Sequence, residues 1–223
     1  MGSASDKAGV GGETVILVHG LWMHGLVFFR MASLLRRQGY RVRRFSYRSM
    51  LRTPAENADL LAKRIDRVQT PVVHLVGHSL GGIVVLHLLD RQLHLKPGRV
   101  VLLGCPARGS EVAARLMRIP LLGAFMLGKS VHKGLLGGAP GFSGQRELGV
   151  VYGNRPIGAG RLFVTAESSG DGTVLARETN IDKARDSIEL NETHTSMIFS
   201  AEVARQIGCF LDKGRFCKSA RDR

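Results

Sequence analysis

Residues 72–93 read VVHLVGHSLGGIVVLHLLDRQL, an apolar run that enters a glycine-rich turn and leaves it as a second apolar run. Val72–Val76 is rich in β-branched residues and predicts a buried strand, whereas Ile83–Leu93 has the apolar periodicity of a helix. Between them a glycine stands two residues from Ser79 on either side, and glycine permits a tight turn at the least steric cost. The stretch therefore predicts a strand, a sharp turn that carries Ser79, and a helix, which is the arrangement of a nucleophile elbow.

The predicted turn also defines what else Ser79 would need. It would lift the serine hydroxyl to the carboxyl end of the sheet and place the backbone N–H of Leu80 at the start of a helix, where a negatively charged oxygen can be held. A serine hydroxyl is a poor nucleophile at neutral pH, so it requires a base within hydrogen-bond reach and an acid that orients the base. We therefore expect a histidine and a carboxylate near Ser79.

Two later loops offer these groups. His194 lies in the loop between the predicted strand Ser187–Leu190 and the last helix, which makes it the natural candidate for the base. Asp171 lies between two glycines just past the predicted strand Arg161–Ala166, and this position at a strand end favours it as the acid. The competing carboxylates are Glu167, Glu178 and Asp182.

Strands and helices alternate along most of the chain, which predicts an α/β fold with a mostly parallel sheet covered on both faces. We expect a compact three-layer sandwich of about six strands, with ligands bound beyond their carboxyl ends. The predicted strands are Thr14–Val18, Arg41–Tyr47, Val72–Val76, Arg99–Leu103, Arg161–Ala166 and Ser187–Leu190. The predicted helices are Val27–Arg37, Pro54–Val68, Ile83–Leu93, Glu111–Arg118 and Ser200–Leu211.

Four ordered motifs make the chain resemble the α/β-hydrolase superfamily, in particular its small bacterial lipase- and esterase-like members. They are HGLW at residues 19–22, GHSLGG at 77–82, DGTV at 171–174, and His194 before the last helix. The order serine, aspartate, histidine is the order of that superfamily. The resemblance implies an α/β-hydrolase fold that lacks the family's two leading strands.

The same resemblance implies a serine hydrolase that cleaves carboxylic esters through an acyl-enzyme, with no cofactor. Ser79 would be the nucleophile, His194 the general base and Asp171 the residue that orients it. The backbone N–H groups of Leu21 and Leu80 would form the oxyanion hole. An acyltransferase, a thioesterase or an amidase could use the same triad, and a binding protein could keep the fold without turnover, although the intact set of three residues argues against the latter.

Residues 119–160 differ in composition from the rest, because glycines are dense and apolar side chains stand between them. Long loops of this kind are usually functional or mobile. We assign 106–160 as a lid or insert within a hydrolase domain at 14–212, flanked by a flexible segment 1–13 and a basic tail 213–223; a core helix followed by a plain loop is the alternative. The candidate substrate-binding residues, which favour an apolar acyl group, are Trp22, Leu122, Phe125 and Met126.

The chain is strongly basic, with 32 Lys and Arg against 18 Asp and Glu and a formal net charge of +14. Such a charge attracts anionic partners, although a solvated basic face is the simpler interpretation. No nucleic-acid motif accompanies it and aromatic residues make up only 6%, so no nucleic-acid partner is expected. The expected partners are a small ester or lipid substrate and an anionic membrane surface.

The cysteines and the N-terminus bear on the cellular location. Three cysteines are not a disulfide framework, so Cys105 and Cys209 are expected to be small core residues, with a Cys209–Cys217 bond left open. The histidine and cysteine spacing indicates no metal site. Met1–Glu13 lacks the features of a secretory signal. Val68–Leu89 has no charged residue and is long enough to span a bilayer, but the elbow explains it as a buried strand and helix. We expect a cytoplasmic protein that can touch a membrane surface.

Overall fold

The computed structural model describes residues 12–91, 95–158 and 169–217. In these residues six strands form a sheet with the order β2-β1-β3-β4-β5-β6, and each neighbouring pair is parallel. The strands are β1 (Glu13–Val18), β2 (Arg41–Phe45), β3 (Val72–His78), β4 (Val100–Leu103), β5 (Leu148–Gly153) and β6 (Asp186–Leu190). The sequence-based prediction of an α/β fold with about six mostly parallel strands is confirmed.

Helices cover both faces of the sheet. They are α1 (Phe29–Arg37), α2 (Pro54–Asp66), α3 (Leu80–Arg91), α4 (Glu111–Met117), α5 (Leu122–Leu127) and α6 (Ala201–Lys213). Alternate side chains of β1 point to opposite faces. Val15 and Leu17 pack with residues of α1 and α6, whereas Ile16 and Val18 pack with residues of α2 and α3. The result is the expected three-layer sandwich.

The long uncharged run around the elbow is accounted for by burial. All residues of β3 after Val72 are buried, and so is every residue of α3 from Leu80 to Leu89. The central strand and its helix are therefore apolar because protein surrounds them on all sides. Among the residues that the structure describes, no helix is both long enough and apolar enough to cross a membrane.

One strand of the sheet was not predicted. β5 lies inside the segment 106–160 that was assigned to a lid or insert, and the predicted strand Arg161–Ala166 lies outside the described residues. β5 reads LGVVYG, and its glycines weaken the strand pattern. Gly149 is needed because a Cβ there would lie 2.7 Å from the Phe210 ring of α6. The assignment of 148–153 to the insert was thus wrong, since these residues form a strand of the sheet between β4 and β6.

The C-terminal segment folds back onto α6. Gly214 ends the helix with a φ of 68°, which reverses the chain and brings Cys217 back to form a disulfide bond with Cys209. Phe216 packs on Phe210, with their ring centroids 5.0 Å apart. The Cys209–Cys217 bond that the sequence left open is therefore present, whereas Cys105 is a free, buried residue as predicted.

Candidate active site

Ser79 occupies a strained turn between β3 and α3. Its φ is 55°, a left-handed conformation that side-chain-bearing residues rarely adopt. A Cβ at Gly77 would lie 2.7 Å from Gly82 Cα, and one at Gly81 would lie 2.2 Å from the carbonyl oxygen of Val18. Both flanking glycines are thus required by close backbone approach, and the strand, turn and helix form as the sequence predicted.

His194 and Asp171 form a buried pair at the same edge of the sheet. His194 Nδ1 lies 2.7 Å from Asp171 Oδ2, and the His194 N–H donates to the Asp171 carbonyl oxygen at 2.9 Å. The other carboxylate oxygen accepts from the N–H groups of Thr173 and Val174, at 3.0 and 2.8 Å. Burial by itself would raise the pKa of Asp171, but the charge and hydrogen bond of His194 and these two N–H groups outweigh it and lower the pKa. Asp171 is therefore an ionised carboxylate that holds a proton on His194 Nδ1.

The competing carboxylates are engaged elsewhere. Glu178 accepts from the backbone N–H groups of Glu111 and Leu175, at 2.7 and 3.0 Å. Asp182 pairs with Arg108 at 2.8 Å, and Glu167 lies outside the described residues. Of the three candidate acids that the structure describes, Asp171, Glu178 and Asp182, only Asp171 contacts His194.

The end of β4 brings the elbow next to this pair. The Ser79 N–H donates to the carbonyl oxygen of Leu103 at 2.9 Å, and Gly104 follows directly. A Cβ at Gly104 would lie 2.9 Å from Asp171 Oδ2 and 3.1 Å from His194 Nδ1. Among the described contacts there is no hydrogen bond between the Ser79 hydroxyl and the His194 imidazole. Catalytic hydrogen bonds of this kind commonly tighten only when substrate is bound.

The loop after β1 approaches Ser79 from the other side. A Cβ at Gly20 would lie 3.1 Å from Ser79 Cβ, so glycine allows the contact. His19 Nδ1 donates to the Gly20 carbonyl oxygen at 2.8 Å, and His19 Nε2 accepts from the Tyr47 N–H at 3.2 Å. Burial lowers the pKa of His19, in keeping with this neutral form. Because the C=O and N–H of a trans peptide point in opposite directions, fixing the Gly20 carbonyl also fixes the direction of the Leu21 N–H.

The family assignment follows from this fold together with the chain's sequence. Residues 15–186 match the model of the alpha/beta hydrolase family. The chain belongs to the α/β-hydrolase family. No curated protein sequence matches it.

Solved structures share the hydrolase fold at low sequence identity. Bacillus licheniformis lipase BlEst2 in its mature form has a TM-score of 0.74 and 21% identity, over 90% of this chain and 91% of that one. The metagenomic carboxyl esterase MGS0156 has a TM-score of 0.64 and 16% identity, over 84% and 66% of the two chains. Bacillus subtilis carboxylesterase CesB has a TM-score of 0.59 and 14% identity, over 91% and 84%. At these identities the likeness establishes the fold.

The residues expected to bind substrate lie on the loop after β1 and on α5. Trp22 Nε1 donates to the carbonyl oxygen of Met126 at 2.7 Å, and the Trp22 N–H donates to Ser49 Oγ at 3.2 Å. The loop after β1 is thereby tied to α5. Phe125 is 80% exposed and Leu122 is 42% exposed, so these α5 side chains form a rim that faces solvent.

Sequence reasoning left three residues near Ser79 without a role, namely His19, His78 and Gly104. His19 and His78 stand in two of the quoted motifs, HGLW and GHSLGG, but the contacts of all three residues join segments that are distant in sequence and so could not be predicted. Within ranges 12–91, 95–158 and 169–217, no three His, Cys, Asp or Glu side chains are grouped as metal ligands.

Proposed function

We propose that this hydrolase cleaves carboxylic esters through an acyl-enzyme on Ser79. The observation that carries the proposal is the buried His194–Asp171 pair, with its 2.7 Å contact, beside a serine on a strained turn. Among the described residues the His194 ring has its Nδ1 engaged by Asp171, while its Nε2 makes no hydrogen bond. That nitrogen is therefore available to accept the serine proton.

The reaction divides into two proton-balanced steps. Ser79 Oγ attacks the ester carbonyl while His194 Nε2 takes its proton, and the resulting oxyanion is held by the N–H groups of Leu21 and Leu80. The C–O bond to the alcohol then breaks, and His194 gives its proton to the departing alcohol. In the second step His194 takes a proton from water, the hydroxide attacks the acyl carbonyl, and the carboxylic acid leaves as Ser79 regains its proton. Asp171 stabilises the imidazolium in both steps.

The rim favours an apolar acyl group. Trp22 is 56% exposed beside α5, whose Leu122 and Phe125 are also exposed. Solvent-exposed aromatic and aliphatic side chains next to a catalytic serine lose contact with water when a substrate chain lies across them, which favours binding of that chain.

The same rim carries features that fit an anionic lipid membrane. Leu51 is 62% exposed and Leu121, just before α5, is 89% exposed. A hydrogen bond of 2.8 Å from the Lys129 N–H to the Met50 carbonyl oxygen joins the loop of Leu51 to the residues that follow α5. Four exposed cations stand close to these side chains, either within three residues of Leu51 or Leu121 or, for Lys129, through its bond to Met50. They take part in none of the ion pairs among described residues: Arg48, Arg52, Arg118 and Lys129. Apolar side chains within a positive collar complement a surface of anionic headgroups over acyl chains.

The catalytic proposal is tested with a fluorophosphonate probe and mass spectrometry. Labelling at Ser79 in the parent protein and none in a folded Ser79→Ala variant is the expected result. A series of p-nitrophenyl esters of rising chain length then measures the acyl preference. Absence of labelling in the folded parent would contradict the proposal and favour a silent binding protein. Faster cleavage of a thioester or an amide than of the ester would point to a thioesterase or an amidase. Faster transfer of the acyl group to an added alcohol than to water would point to an acyltransferase.

The membrane proposal is tested with two variants of equal charge. Arg48→Gln/Arg52→Gln removes two cations from the rim. Arg64→Gln/Arg67→Gln removes two exposed cations near the C-terminal end of α2, on the side of the amino ends of the strands. At low salt, binding to vesicles that contain phosphatidylglycerol should weaken more in the first variant than in the second. Equal weakening, or parent binding to neutral vesicles as strong as to anionic ones, would contradict the proposal.

A further inference from the structure

His78 is an entirely buried histidine that precedes the nucleophile and has no part in the reaction described above. Its Nε2 lies 2.9 Å from the carbonyl oxygen of His194. A carbonyl oxygen only accepts hydrogen bonds, so His78 carries its proton on Nε2 and donates it there. The two imidazole rings are also in contact, with centroids 4.6 Å apart and planes inclined by 43°.

The opposite edge of the His78 ring faces the loop after β1, which contains Gly20. A Cβ at Gly20 would lie 3.2 Å from His78 Nδ1, which shows how closely that loop approaches the ring. His78 Nδ1 is buried and has no hydrogen-bond partner among the described residues. A buried acceptor without a partner is unfavourable, so packing alone would favour an apolar ring at this position. The Nε2 hydrogen bond is the feature that distinguishes histidine from such a ring.

We propose that His78 is a positioning residue, which sets the place of the general base by donating Nε2–H to the His194 backbone. The inference rests on the proposed function. His78 is adjacent to Ser79 in the chain and bonded to His194 across the site, so it is a short link of fixed length between nucleophile and base. A link on the backbone of His194 leaves both of that residue's ring nitrogens free for Asp171 and for Ser79.

The neutral state of His78 suits this position. Burial, together with the neighbouring His194, lowers the pKa of His78 to about 3. When His194 accepts the serine proton it becomes an imidazolium, and a second positive charge at ring-contact distance would oppose that step. A neutral imidazole supplies the hydrogen bond without the repulsion.

Three variants test the inference. His78→Phe keeps a ring of similar size and removes the donor, whereas His78→Gln keeps an N–H donor at about the place of Nε2. His87→Phe is the matched control, because His87 on α3 is buried and donates Nε2–H to the Lys133 carbonyl oxygen at 2.7 Å. We expect His78→Phe to lower kcat by about 10²-fold with KM little changed, His78→Gln to recover part of that loss, and His87→Phe to leave kcat unchanged.

A second measurement separates the inference from the proposed function. The His194 Nδ1 proton, bonded to Asp171, should give a far-downfield proton NMR resonance that needs no substrate. This resonance should shift or broaden in His78→Phe and remain in His87→Phe. If the parent cleaves no ester yet shows this pattern, the positioning role stands while the esterase proposal fails. An unchanged kcat and resonance in His78→Phe would overturn the inference, as would a His78→Gln protein no better than His78→Phe.

Discussion

Gly104→Ala places a methyl group directly beside the hydrogen bond on which the proposed mechanism depends. Gly104 follows β4 with a φ of +51°, in a region that favours glycine. An added Cβ would lie 2.9 Å from Asp171 Oδ2 and 3.1 Å from His194 Nδ1, the two atoms that form the 2.7 Å bond. The methyl group can be accommodated only if the Asp171 and His194 side chains move away from it.

The size of the effect follows from these distances. A relaxed contact to carbon requires about 3.5 Å, so Asp171 Oδ2, at 2.9 Å, must withdraw by about 0.6 Å. Because a misplacement of about 1 Å can cost about 10²-fold in rate, we expect kcat to fall by roughly 10- to 100-fold. The left-handed backbone adds a cost of about 1–2 kcal/mol in the free energy of unfolding.

Gly138→Ala is the matched control for backbone strain. Gly138 has a φ of +71°, but the atom nearest to its added Cβ would be Lys133 Cα, at 3.7 Å. Both variants therefore carry a strained alanine, and only Gly104→Ala disturbs the His194–Asp171 pair. The assay is kcat and KM on a short p-nitrophenyl ester, with urea unfolding measured in parallel. Equal kcat values for the two variants would refute the reasoning.

Three further predictions concern the acid, the pH dependence of stability and the disulfide. Asp171→Asn should lower kcat by about 10⁴-fold because an amide cannot stabilise the imidazolium, while Glu178→Gln should leave kcat unchanged; equal losses would mean that Asp171 is not the acid. Asp171 has a lowered pKa in the folded protein, so its stabilising effect is complete above its unfolded pKa of about 3.9 and is lost as the pH falls through the folded value. Urea unfolding should thus show a steeper loss of stability below about pH 4 in the parent than in Asp171→Asn, and parallel curves would contradict this. Cys217→Ser opens the loop that Cys209 closes over a separation of 8 residues, which should lower the free energy of unfolding by about 2.5 kcal/mol. Dithiothreitol should destabilise the parent equally and leave the variant unaffected. Because disulfides persist mainly in oxidising compartments, a thiol titration of the protein from its native cells also tests the expected cytoplasmic location.

The parts of the fold that the sequence predicted are those with local causes. The elbow was predictable because two glycines and a change of apolar period lie within one short stretch. The start of α2 was predictable because Thr53 and Glu56 cap it reciprocally and Pro54 occupies the first helical position, where proline is favoured. β5 was missed because its place in the sheet comes from non-local pairing with β4 and β6, while its own glycines obscure the strand pattern.

The candidate site shows the same difference between features with local causes and features that depend on non-local contacts. Ser79, His194 and Asp171 could be named from motifs, strand-end position and chain order, whereas the contacts that engage Glu178 and Asp182 elsewhere are visible only in three dimensions. The disulfide was left open by the sequence because it depends on Gly214 turning the chain back at the end of α6.

The hydrogen bonds of the buried histidines explain why one of them is suited to catalysis. His19 uses one nitrogen on the Gly20 carbonyl and the other on the Tyr47 N–H. His74 contacts the Glu13 carboxylate, yet its second nitrogen accepts the Arg99 N–H, and it lies within β3 away from the carboxyl edge.

His78 donates to a carbonyl oxygen, and its other nitrogen is enclosed. His194 alone among these four combines a carboxylate on one nitrogen with a second nitrogen that makes no hydrogen bond to a described residue. A general base needs both properties, because the carboxylate stabilises the charge that the free nitrogen acquires with the proton. The other three histidines hold backbone segments in place. In each of them both ring nitrogens are engaged or enclosed, so neither nitrogen is available to accept a proton.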